Sequence, residues 1–179
     1  MRRSRTKRGQ TLVEFAMILP LLLAIIMGII DFSYIVYSWA EIHFAARRGA
    51  EQASKFPPND VTQRKLNNPA SGDECAFSLI RSEVYRNGAF SAATGLSDDE
   101  VTITFYKRNS NDGTHPDGKF STPIAAADRK LGTLIEVSIN HSIVPLTPLG
   151  TQFFGSSIEM NAASRRSITS LASALATCP

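Results

Sequence analysis

Glu14 is the side chain of this sequence that most needs a chemical reason. It stands five residues after Gly9, near the start of an apolar run, in RRSRTKRGQTLVEFAMILPLLLAIIMGIIDF, Arg2 to Phe32. The residues themselves offer two reasons for a carboxylate there. Thr11-Leu12-Val13-Glu14 reads T-x-x-E, a capping box that satisfies free amide donors at a helix start. A charge near the membrane interface also costs less than at the helix centre, because it can reach water or the basic residues before it. Other candidates for chemistry are sparse. His43, His115 and His141 lack the short spacing that gathers metal ligands. NSNDGTHPDG carries acidic and amide side chains, but without the ordered spacing and closing glutamate of an EF-hand. There is no P-loop, dinucleotide glycine motif, G-x-S-x-G or H-E-x-x-H. The reading is therefore of a chain with no catalytic residues, no metal site and no cofactor. Cys75 and Cys178 lie in no CxxC or Cys/His pattern. In an oxidising compartment a bridge between them would close a loop of about 100 residues and contribute about 4 kcal/mol; two independent thiols are the alternative.

The element that must hold Glu14 is a helix. From Leu12 to Ile30 the chain is almost continuously apolar, which with the adjoining turn makes about 20 residues, or roughly 30 Å, enough to span a lipid bilayer. Arg2, Arg3, Arg5, Lys7 and Arg8 precede it and no comparable cluster follows at once. The positive-inside rule then puts the N-terminus in the cytoplasm and the bulk of the chain outside. These five residues also account for the basic character of the chain, whose formal net charge is +3 from 19 basic and 16 acidic side chains. Beyond Gly9 acidic groups outnumber basic ones, so the folded part has no basic footprint for nucleic acid. Ser38 and Ala40 offer the spacing of a signal-peptidase site, but the apolar run exceeds the usual core of about 7–15 residues in a cleaved signal. A retained signal anchor fits better.

Past Asp31 the apolar positions Phe32, Ile35, Val36, Trp39, Ile42, His43, Ala46, Gly49, Ala50, Ala53 and Phe56 recur at steps of three and four. One long helix is predicted over 10–56, membrane-spanning at about 12–36 and ending before Pro57-Pro58, with Pro20 kinking it or marking an unwound turn. Ala46, Gly49, Ala50 and Ala53 form a small-residue stripe that packs on the protein's own sheet or admits another subunit's backbone. Ala24-x-x-x-Gly28 offers a similar close approach inside the bilayer.

The combination of basic leader, Gly9, Glu14, Phe15 and a long helix containing Pro20 resembles the start of type IV prepilin-like proteins. It resembles more closely the TadE-like pseudopilins of tight-adherence (Flp-type) pili, through Arg8, Gly9, Gln10, Leu12, Val13, Glu14, Phe15, Ala16, Leu19, Pro20 and Leu21 to Leu23. The likeness continues into GIIDF (Gly28 to Phe32) and AARRGAEQA (Ala45 to Ala53). The resemblance implies a structural or assembly component of such a pilus or a related secretion apparatus in the bacterial inner membrane. A prepilin peptidase would cut after Gly9, leaving Gln10 as the new N-terminus and Glu14 as mature position five. The implied partners are the bilayer, that peptidase, pilin or pseudopilin subunits and the pilus assembly platform. Glu14 would pair with a neighbouring subunit's terminal ammonium. Many pilins begin with Phe after cleavage, whereas Gln10 can cyclise to a neutral end that forms no ion pair. The rival reading is a signal-anchored extracytoplasmic binding domain, or an enzyme of unrecognised type, that enters no filament.

Outside the membrane, residues 57–179 are predicted to form an α+β domain with a mostly antiparallel sheet of three to four strands. Pro57 to Gly72 reads as a loop. CAFSLIRSEVYRNG places Phe77, Ile80, Val84 and Tyr85 on one side of a helix ending near Gly88. Val101–Tyr106, Leu134–Ile143 and Ser157–Arg165 alternate as strands do. Lys107 to Gly132 reads as an irregular excursion, and VPLTPLGTQFFG, from Val144, as an apolar loop that covers the core, docks on a partner or touches the membrane.

Overall fold

The computed structural model describes residues 7–59, 63–86, 95–108, 116–119 and 131–170. Their elements run α1 (Lys7–Lys55), β1 (Arg64–Lys65), α2 (Glu74–Val84), a 3-10 turn (Asp98–Glu100), β2 (Val101–Arg108), β3 (Pro116–Lys119), β4 (Leu134–Ile143), α3 (Pro148–Phe154) and β5 (Ile158–Ser167). The class is the expected α+β. Contacts divide the chain into two compact units, one formed by Met1–Tyr37 with Ile143–Ile158, the other by Ser38–Ser142 with Glu159–Pro179.

α1 is unbroken over 49 residues and continues through Pro20. It is long and apolar enough to cross a membrane, with a mean hydropathy of 2.6 in an 18-residue window that is not buried at all. A helix that shows large aliphatic side chains on every side wants a solvent other than water. In the same unit α3, expected to be loop, is a short helix. Thr147 is its N-cap, Pro148 sits in its first turn, and Gly155 ends it at φ 88°, a conformation that glycine adopts without strain.

The second unit is built on the sheet, whose order is β1-β2-β4-β5, with β3 also on β2. β2 pairs antiparallel with β4 through Val101↔Ile139, Ile103↔Val137 and Phe105↔Ile135, so these six side chains share one face, and all are buried. On its other edge β2 carries both β1, at Ile103 and Thr102, and β3, at Tyr106 to Arg108. β1 falls in the segment predicted as loop. β3 falls in the predicted irregular excursion, of which 109–115 and 120–130 lie outside the described residues.

The apolar face is closed by helices. Ile42, Ala46, Ala50 and Ala53 of α1 are fully buried, as are Ala76, Phe77, Ile80 and Val84 of α2 apart from a few per cent. A Cβ built on Gly49 would lie 2.8 Å from Val84 Cγ2 and 3.2 Å from Val137 Cγ1. The absent side chain is what lets α1 approach α2 and β4 together. α2 ends at Val84 with Tyr85 as its C-cap, short of the predicted end near Gly88, which lies outside the described residues. Arg81 on α2 reaches Asp98 at 2.6 Å, and the Leu66 amide after β1 donates to the Val101 carbonyl at 2.9 Å.

Candidate processing and assembly site

Gly9 and Gln10 fall in the first turns of α1, together with Lys7 and Arg8 of the leader; Arg2, Arg3 and Arg5 lie outside the described residues. Glu14 is exposed on the helix in a sleeve of exposed side chains that includes Leu12, Val13, Phe15, Met17 and Ile18. The predicted capping box needs correction. α1 begins at Lys7, four residues before Thr11, so Thr11 and Glu14 lie inside the helix rather than at its free amides. With the leader attached, T-x-x-E has no helix start to cap. It would acquire one only in a chain beginning at Gln10.

Asp31 directly follows the apolar run Leu12–Ile30. Its side chain is 1% exposed, and it holds a segment 116 residues away: Oδ1 accepts from the Thr147 amide at 3.0 Å and Oδ2 accepts from the Thr147 hydroxyl. That hydroxyl in turn accepts from the Gly150 amide at 3.1 Å, capping α3. Burying an acid costs free energy that charge-assisted bonds of this kind offset. Gly150 makes room for the arrangement, since a Cβ there would fall 2.7 Å from Asp31 Cγ and 2.8 Å from Pro145 Cβ. Ala24 and Gly28, singled out as small residues inside the membrane, line a notch of about 490 Å³ together with Asp31, Leu149, Gly150, Phe153 and Phe154.

The upper small stripe has a different environment. Ala46, Ala50 and Ala53 are wholly buried inside the sheet unit, and Gly49 abuts Ile80, Val84 and Val137 of the same chain. Of the two uses weighed for this stripe, packing on the protein's own sheet is the one seen.

Two polar clusters escaped the sequence reading. On the sheet face opposite the helices, Glu136 accepts from the Tyr106 hydroxyl at 3.0 Å and from Arg165 Nε at 2.5 Å, while the Arg165 guanidinium lies 4.6 Å from the centre of the Tyr106 ring. Burial and the Glu136 carboxylate raise the Tyr106 phenol pKa, and the bond to Glu136 raises that of Arg165. Elsewhere His141 Nδ1 lies 3.0 Å from both carboxylate oxygens of Glu100, beside a polar groove of about 450 Å³ that Asn140, Ser142 and Glu159 also line. A carboxylate only accepts, so this contact puts a proton on Nδ1. The signal for both clusters was the alternation itself, which puts Glu136 and Tyr106 on one face and His141 on the other.

The His43 ring lies against Trp39 in a tilted arrangement, interplanar angle 56° and ring centroids 4.3 Å apart, and His115 lies outside the described residues. Among the described residues no three His, Cys, Asp or Glu side chains gather as metal ligands. Cys75, in the first turn of α2, is disulfide-bonded; Cys178 lies outside the described residues.

An apolar run preceded by basic residues and a glycine, with one carboxylate near its start and a second tied down just past its end, is a pattern specific enough to compare. Residues 9–51 match the TadE-like protein family model. The TadE-like segment starts at Gly9, takes in Glu14, Pro20 and Asp31, and stops four residues before the end of α1. It includes none of the sheet strands. No curated protein and no solved structure matches the chain.

Proposed function

We propose that this chain is a minor, pseudopilin-like structural or assembly component of a tight-adherence (Flp-type, type IVb) pilus or a related secretion apparatus. In this reading α1 anchors it in the bacterial inner membrane as a single-pass protein, N-terminus cytoplasmic, with the sheet unit outside. A prepilin peptidase cuts after Gly9, and processed subunits associate laterally through α1. The observation that carries the reading is the coincidence of the TadE-like match, from Gly9 to Glu51, with a helix whose exposed apolar surface surrounds Glu14. The work of such a protein is packing and assembly, with no catalytic step assigned to its side chains.

The N-terminal peptide of the protein from its native membrane, identified by mass spectrometry, tests this. A terminus at Gln10 that disappears when Gly9 is replaced is the expected result. A terminus at Met1 overturns processing and leaves a signal-anchored component. A terminus at Glu41 means that the membrane helix is discarded, and ends the pilus reading.

A further inference from the structure

Residues 143–158 contain no charged side chain, and α3 within them carries its largest apolar groups outward. Phe153 is 82% exposed and Phe154 50%, and Val144 and Leu146 before the helix are also more than half exposed. In water this would be a costly arrangement for so short a segment, and an exposed apolar patch of this kind marks a binding surface. What covers it follows from its depth. The notch beside α3 is lined by Ala24 and Gly28 as well as by Phe153 and Phe154. Ala24 and Gly28 belong to the apolar run that ends at Ile30, about 9 and 3 Å along the helix axis from that residue at 1.5 Å per step. The exposed phenylalanines therefore lie level with helix residues whose surroundings are hydrocarbon.

The geometry points to a second membrane contact: Val144–Gly155 is a wedge inserted into the bilayer leaflet at the Ile30 end of the span, with Phe153 and Phe154 among the upper acyl chains and the notch filled by lipid. This rests on the reading that Leu12–Ile30 spans the bilayer. The hydrogen bonds suit such a site. Backbone in a bilayer must satisfy its polar groups internally, and here the Thr147 amide goes to Asp31, the Gly150 amide to the Thr147 hydroxyl and the Thr151 amide to the Thr147 carbonyl. Asp31 in turn is buried beneath the wedge and does not meet lipid.

The test uses the full chain reconstituted as monomers in nanodiscs. Trp39, the chain's single tryptophan, is replaced by Phe, and one new tryptophan is introduced by Phe153→Trp, Phe154→Trp or, as a reference for the span, Leu22→Trp. Lipids brominated in the upper acyl chain or at its midpoint serve as quenchers. The wedge predicts blue-shifted emission from both Phe-position variants, with the larger loss from upper-chain bromines, and midpoint quenching of Leu22→Trp. Quenching of Leu22→Trp with none at Phe153→Trp and Phe154→Trp overturns the wedge alone. No quenching at any of the three positions overturns the span, and the wedge with it.

Discussion

Asp31 and Thr147, 116 residues apart in sequence, are joined by two hydrogen bonds, one to the backbone amide and one to the hydroxyl. Removing the acceptor leaves both part-buried donors without it. Asp31→Ala should destabilise the docking of α3 by about 1–3 kcal/mol, the usual cost of orphaned buried donors. Asp31→Asn, which retains one acceptor oxygen, should cost less. Gly150→Ala should mimic the alanine variant, because its Cβ would occupy the space of the Asp31 carboxyl group. It should cost less on an Asp31→Ala background, as coupled sites do. Hydrogen exchange of the Thr147 and Gly150 amides in detergent or nanodiscs measures this. Equal protection in the wild type and in all four variants would show that the tie carries no stability.

Gly49→Ala sets two effects against each other. Alanine gains about 1 kcal/mol of helix propensity over glycine, while a Cβ 2.8 Å from Val84 and 3.2 Å from Val137 forces α1 away from its neighbours. Overpacking of this kind costs about 1–3 kcal/mol. A net loss of stability is expected in thermal unfolding of the detergent-solubilised chain, partly recovered in Gly49→Ala/Val84→Ala. A stabilised single variant would mean that the helix contacts relax freely.

Much of this architecture is written in local pattern. The apolar period of α1, the alternation of Val101–Tyr106 and Leu134–Ile143, and the Phe77/Ile80/Val84 face of α2 each recur often enough to reveal an element and its buried side. What was missed lacks repetition. β1 is the two residues Arg64 and Lys65, and β3 begins Pro116-Asp117-Gly118, a turn composition; both are strands only because β2 offers an edge. α3 has a Thr-Pro start and a following Gly155, but seven residues are too few to show a period. Gly9 and Glu14 stand out in the sequence because basic cluster, carboxylate and apolar run are adjacent. The Asp31–Thr147 tie was invisible because nothing local to either residue names the other.

The alkaline side of the stability profile should be set by two tyrosines. Burial and the neighbouring Asp98 raise the pKa of Tyr85, while burial and Glu136 raise that of Tyr106, from an ordinary value of 10.0. The folded chain then holds these protons above pH 10 while the unfolded chain releases them. Their contribution is complete below that pH and is lost as pH rises toward the folded values. Ultraviolet titration should find fewer of the four tyrosines ionised in the folded protein than in the unfolded one just above pH 10. Glu136→Gln should move Tyr106 back toward the ordinary value. Identical folded and unfolded titration curves would contradict the buried cluster.

Cys75 is disulfide-bonded, and the chain has one other cysteine, Cys178. A peptide map made without reduction should yield a fragment joining the two cysteine peptides, which dithiothreitol separates. Cys178→Ser should lower stability by up to about 4 kcal/mol, less any native strain relieved. Recovery of both cysteines alkylated without reduction would mean that the sheet unit meets no oxidising compartment.

Glu14→Gln separates the two uses of the carboxylate. Glutamine serves in a capping box as glutamate does, so a helix start formed at Gln10 after cleavage would survive the substitution. An ion pair to a neighbour's terminal ammonium would not survive it, and in a medium of low dielectric its loss strands a charge. If pairing is the role, Glu14→Gln and Glu14→Ala should both be processed normally after Gly9 and both fail to co-purify with assembled pilus material. If capping is the role, Glu14→Gln should assemble and only Glu14→Ala should fail. A mature chain whose Gln10 is fully cyclised has no ammonium to offer, so pyroglutamate in the N-terminal mass spectrum of assembled subunits would remove the pairing between identical subunits and point to a different chain as the donor.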